Sequence, residues 1–188
     1  MGIIVAAVLV VVAFYFVMVY NSLISVRNNV SKSWANIEVL LKQRNEELPK
    51  LVDTCKHYMK HEQETLEKVS KARAQAERAR ESRDVASLSA AENVIRAGLG
   101  NIFAVAEAYP ELKADRDFAH LQSRITGLEN AIADRRELYN DSVYINNVRI
   151  QQFPQVILAR LAGFDELQML NFSAAELKDV DISERFNA

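Results

Sequence analysis

The chain has 188 residues, a formal net charge of −2 and 26% charged residues, with five Gly, three Pro and one Cys. So even a balance sets up no broad positive field, and nucleic acid is not an expected partner. One cysteine excludes an internal disulfide, while scarce Gly and Pro beside plentiful Ala, Leu, Glu, Lys and Arg predict long helices.

The first element is Gly2–Tyr20, an apolar run without a charge. At a rise of ~1.5 Å per residue it spans about 28 Å, close to the ~30 Å hydrocarbon core of a bilayer. Twelve of its residues are Val, Ile, Leu or Phe, together worth roughly 4–7 kcal/mol toward insertion. Ile3, Val8, Val12, Phe16 and Tyr20 mark this membrane anchor. A cleaved signal peptide would need a basic start and small residues ahead of the cut. No Lys or Arg precedes the run and no A-x-A site closes it, so an uncleaved single span is expected. Arg27 and Lys32 follow the span closely, which favours an outside N-terminus and a cytoplasmic remainder, with an extracytoplasmic bundle as the alternative.

No Gly or Pro separates the run from Pro49, so span and stem should form one continuous helix. Apolar residues then recur in steps of four and three: Val30, Trp34, Ile37, Leu41, Arg44, Leu48, Leu51, Cys55, Tyr58, Glu62, Thr65, Val69, Ala72 and Ala76. This coiled-coil-like heptad seam favours one helix to about Ala79, kinked at Pro49 because proline removes a backbone bond, over two separate helices. The charged, alanine-rich stretch 67–84 predicts a narrow, solvated tip.

Ser82 or Asp84 can cap the next helix, about 84–108, which turns Leu88, Ala91, Ile95, Leu99, Ile102, Val105 and Tyr109 inward. Close helix approach would explain Gly98 and Gly100. Tyr109-Pro110 ends this helix, and Glu111–Asp115 reads as a connection. Another long helix is expected over about 116–152, with Phe118, Leu121, Ile125, Leu128, Ile132, Arg135, Tyr139, Ser142, Asn146 and Phe153 on its seam. Phe153-Pro154 breaks it, a short helix covers 155–162, and Gly163 stops that helix. The predicted fold is all-α: an N-terminal transmembrane helix (1–20) continuing into an elongated antiparallel bundle of three long helices plus a short fourth (21–164). A C-terminal tail (165–188) follows, expected to be loosely held beyond about Phe172.

Several segments together, in this order and spacing, resemble the LemA family of bacterial membrane proteins. They are Tyr20-Asn21 with Arg27; Trp34 through Lys42 with Arg44; Leu48-Pro49 with Leu51-Val52; His61-Glu62; and Tyr109-Pro110 with Leu112-Lys113-Ala114. Phe118 with Leu121, Glu129-Asn130, Arg136, Tyr139-Asn140, Asn146, Phe153-Pro154 and Gly163-Phe164 complete the set, covering about residues 20–164. The resemblance implies an N-terminal membrane helix ahead of an antiparallel helical bundle and implies no established enzymatic activity.

Little in the chain suggests catalysis. His57 and His61 have zinc-chelating spacing, but His61-Glu62-Gln63-Glu64-Thr65 lacks the second His of H-E-x-x-H, and a hydrated pair is expected. Cys55 reads as a small buried hydrophobe. Arg44, Glu62, Glu129, Arg135 and Asn146 form a polar seam, expected to be a paired interhelical network. Off the main seam lie Val39, Leu40, Val143, Ile145 and Ile150. With Val156, Ile157 and Leu161 they form a second apolar stripe for which a three-helix core has no room. Contiguous exposed apolar residues mark interfaces, so self-association is assigned to Ile150, Val156, Ile157 and Leu161, and a stem without residues 1–20 should still associate. The reading is a non-enzymatic scaffold without cofactor or metal. It contacts the lipid bilayer, copies of itself and other membrane proteins. The rival is a sensor or adaptor relaying a signal through the continuous helix.

Overall fold

A computed structural model describes residues 1–171, which form six helices and, among themselves, no strand. They are α1 (Gly2–Tyr58), α2 (Gln63–Ser82), α3 (Val85–Ala106), α4 (Pro110–Ala114), α5 (Arg116–Gln151) and α6 (Gln155–Leu161). Of the tail expected from 165, residues 172–188 lie outside the described residues. Two compact units are distinguished: residues 1–41 with 128–169, and residues 42–127 with 170 and 171.

Helix α1 runs without interruption from the apolar run into the stem and passes through Pro49. It does not reach Ala79. The chain leaves the helix at Met59, where the last helical bond runs from the Met59 N–H to the Cys55 carbonyl at 2.8 Å, and α2 starts anew at Gln63. The turn contains neither Gly nor Pro. Met59 is fully buried at it, while Lys60 and His61 face solvent. Folding back lets α2 lay Leu66, Val69, Ala72 and Ala76 into the core of its own unit, where a straight helix would leave them in water. Arg73 Nε donates to the Asn45 carbonyl at 3.0 Å, and Asn45 Nδ2 donates to Glu77 at 2.8 Å, so α2 runs antiparallel to α1.

The rest of that unit follows from capping and close packing. Asp84 caps α3 by accepting from the Ser87 N–H at 3.0 Å. Leu88, Ala91, Ile95, Gly98, Leu99 and Ile102 are buried, whereas Val105 and Tyr109 are only half-buried. A Cβ on Gly98 would stand 2.3 Å from Val69 Cγ2, so this glycine permits the approach of α3 to α2; one on Gly100 would meet nothing within 4 Å. Close approach therefore accounts for one of the two glycines. The expected connection 111–115 is instead a short helix, α4, with proline in its first turn. Asp115 accepts from the Asp117 and Phe118 N–H groups at the start of α5.

In the other unit, α5 runs antiparallel to the upper stem of α1. The Ser33 and Ser142 hydroxyls lie 2.9 Å apart, and the Trp34 and Tyr139 rings meet edge to face at 5.5 Å. Such an aromatic pair contributes ~0.5–1.5 kcal/mol beyond its area. The α5 seam drifts from the heptad reading. The buried positions are Ile132, Tyr139, Val143, Asn146 and Ile150, while Arg135 and Phe153 are exposed. A straight helix repeats every 3.6 residues, so a strict 3.5 register slips by ~20° per heptad. That slip turns Val143 and Ile150 inward in place of Ser142 and Phe153.

Candidate functional site

No cleft with chemistry emerges from these elements, and two features bear on function: an apolar helical end and a seat built against it. In α1, Ile3, Val8, Val12, Phe16 and Tyr20 are all exposed, as are nearly all large apolar residues around them. Among residues 1–20 only Val19 is buried. A protein surface of this composition is unfavourable in water and matched to hydrocarbon.

Val19 is buried because α6 covers it. Val19, Leu23, Ile150 and Ala159 form one cluster, with Leu158 and Phe164 packed on its edge. The seat depends on how α6 ends. Gly163 adopts φ +69°, and the Phe164 N–H donates to the Ala159 carbonyl at 2.9 Å. This left-handed turn, which favours glycine, reverses the chain. Phe164 then lies edge-on to Tyr20 at 6.2 Å, with the Arg27 guanidinium over its ring at 5.8 Å. Beyond it, an extended segment is held on α5 through its backbone. Asn147 donates to the Leu167 carbonyl and accepts from the Leu167 N–H, both at 2.9 Å, and the Tyr139 hydroxyl donates to the Gln168 carbonyl at 3.0 Å.

The expected polar seam is dispersed. Arg44 is buried and donates to Glu92 at 2.6 Å, both side chains being only 2–3% exposed. Asn146 is buried and donates to Asn147 Oδ1 at 3.2 Å, supporting the residue that grips Leu167. Glu62 and Glu129 are half-buried, and Arg135 is on the solvent face of α5, where it can orphan no buried carboxylate. The buried acids Glu47 and Glu92 were not anticipated. Each had a visible signal: Glu92 lies four residues after Leu88 and three before Ile95, and Glu47 lies three after Arg44. Glu47 pairs at 3.1 Å with both Lys50 and Arg124. The charged stretch of α2 carries an exposed Lys68–Glu64 pair and a part-buried Arg80–Glu77 pair.

The self-association residues part company. Ile150 is in the core with Val19, Val156 is half-buried, and Ile157 and Leu161 are exposed. Ile150 therefore cannot meet another copy without unfolding its own unit. Among the described residues no group of three or more His, Cys, Asp or Glu is arranged to hold a metal, and His57 and His61 are both exposed. Cys55 is fully buried and free, and burial pushes its thiol up to about 12, so it carries no thiolate at neutral pH.

The LemA family model matches residues 33–183. "Protein LemA" of Metamycoplasma hominis is 29% identical across 93% of this chain and 80% of its own length. "Magnetosome protein MamQ 2" of Paramagnetospirillum magneticum is 25% identical across 85% of this chain and 68% of its own. "Magnetosome protein MamQ" of Magnetospirillum gryphiswaldense shares 31% over a shorter stretch, 37% of this chain. With the family pattern spanning most of its length and an all-helical fold behind an apolar N-terminal helix, the chain belongs to the LemA family.

Proposed function

We propose that this protein is a non-enzymatic, single-pass membrane scaffold. Its span fixes a helical stem at the membrane surface, where copies of the chain associate and organise other membrane proteins. The observation that carries the reading is the apolar face of α1. Residues 2–20 expose large hydrophobic side chains and belong to the same unbroken helix that enters both packed units. The apolar segment and the stem that follows it are thus parts of one helix. Two of the relatives are named magnetosome proteins. Arg27 and Lys32, just beyond Tyr20, favour a cytoplasmic stem.

Association is assigned to the exposed apolar residues that remain on α5 and α1. Leu138, Tyr144 and Ile145 of α5 and Val39 of α1 are exposed, and Leu138 and Ile145 border a groove of about 300 Å3 whose α1 side is mostly polar, with Asn29, Lys32 and Asn36 beside Val26. The anchor is tested by alkaline extraction of membranes. The full chain should stay with the lipid, and a Val8→Lys, Val12→Lys variant should be released, since a central Lys costs ~2.5–3.5 kcal/mol each. Release of the unaltered chain would refute the anchor.

A further inference from the structure

The seat of α6 raises a question the anchor alone does not answer. Phe153 and Leu161 are each 80% exposed and Ile157 is 47% exposed. Ile157 and Leu161 are four apart, so they share one face of α6, opposite the face that Leu158 and Ala159 press onto Val19 and Leu23. We propose that this outer face of α6, with Phe153 ahead of it, is a second membrane contact: an interfacial foot that lies in the lipid headgroup layer beside the span. This rests on the reading of α1 as a membrane anchor.

The level of α6 along α1 decides the occupant. If Gly2–Tyr20 fills the hydrocarbon core, Val19 stands at its edge and Leu23 about 6 Å beyond it. The headgroup layer is roughly 5–7 Å deep on each side of the core, so a helix seated on Val19 and Leu23 is at headgroup depth. Interfacial helices lie with their apolar face buried ~5–10 Å at this boundary. Tyr20, the residue after Val19, is itself an exposed apolar residue of α1. The neighbouring groups suit the same layer. Tyr20 and Phe164 stack edge-on, Arg27 covers the Phe164 ring, and Arg160 is exposed on α6. Aromatic rings and long basic side chains favour this level. The acidic side chains Asp165 and Glu166 follow Phe164 directly and are exposed, so the charges set no preference for anionic lipid, and neutral phosphatidylcholine should suffice.

The test uses the full chain in phosphatidylcholine vesicles. An environment-sensitive dye is attached at Leu161→Cys, at Phe153→Cys and at Val12→Cys in separate preparations; the buried Cys55 stays unlabelled. Spin-labelled lipids carry the quencher either near the headgroup or deep in the tail. The dye at positions 161 and 153 should be quenched most by the shallow label, and the dye at 12 by the deep one. Quenching at 12 without quenching at 161 and 153 overturns the foot and leaves the anchor standing. A blue-shifted but unquenched dye at 161 and 153 also overturns it, because a second copy then covers α6. No quenching at 12 removes the anchor and the foot together. Positions 153 and 161 are independent and highly exposed, so a folding defect at one leaves the other as a probe.

Discussion

Replacing Arg44 by methionine should be among the most damaging single changes in the stem, and replacing its partner as well should repair it. Arg44 and Glu92 sit 2.6 Å apart with side chains only 2% and 3% exposed. Both side chains are withdrawn from water, and each lies in the core against the other. Arg44→Met takes away the cation facing Glu92 and should cost ~3–5 kcal/mol; Glu92→Leu alone should cost about the same. In the double variant both charges are gone and the space is refilled by apolar atoms, an exchange that is often neutral or stabilising by ~1–4 kcal/mol. For a chain of this size ~1 kcal/mol shifts Tm by roughly 2–4 °C, so each single change should lower Tm by about 6–20 °C. Thermal unfolding of the full chain in mild detergent, followed by far-ultraviolet circular dichroism, measures all four proteins. Single variants within about 1 kcal/mol of the parent, or a double variant whose loss equals the sum of the two singles, would refute the pairing argument.

Gly98→Ala should destabilise by ~1–3 kcal/mol in the same unfolding assay, because its Cβ would meet the stiff, buried Val69 side chain at 2.3 Å. Gly100→Ala should instead stabilise by ~0.5–1 kcal/mol, since nothing lies within 4 Å of its Cβ. Arg135→Leu should stay within ~0.5 kcal/mol of the parent, as expected for an exposed site. Acid should weaken the unit that holds α2 and α3. The Arg80 hydrogen bond holds Glu77 below its usual range, Ser87 does so for Asp84, and the Phe118 N–H for Asp115. Each carboxyl is more acidic folded than unfolded, so its contribution is complete above its unfolded pKa and lost as pH falls through the folded one. Stability from these groups should hold from neutral to about pH 5 and decline below about pH 4, and Glu77→Gln should shallow that decline in an acid titration of Tm.

Composition and periodicity carry the helices because they are local. The apolar run, the Asp84 cap, the limits of α5 and the Gly163 stop each rest on neighbouring residues and could be read in sequence. The turn at Met59–Glu62 was illegible because Lys60 and His61 terminate the helix without Gly or Pro, and because the heptad phase carries on across the turn. The long-range pairs were half legible. Arg44 on an apolar seam announces a buried cation, but choosing Glu92 as its partner requires knowing that α3 packs beside α1. Arg135 and Ile150 were misplaced for one reason: a 3.5-residue repeat was extended along a helix that turns every 3.6. The seat of α6 was invisible, since Val19 reads as one more residue of the span until its neighbour is seen.

The central claim is that anchored copies of this chain hold one another through the stem. The mass of the full-length protein in mild detergent, measured by light scattering across a dilution series, tests it most directly. The account predicts more than one copy per particle, a mass that survives dilution, and its fall toward one copy in Ile145→Asp with Tm unchanged. One copy per particle at every concentration would contradict it.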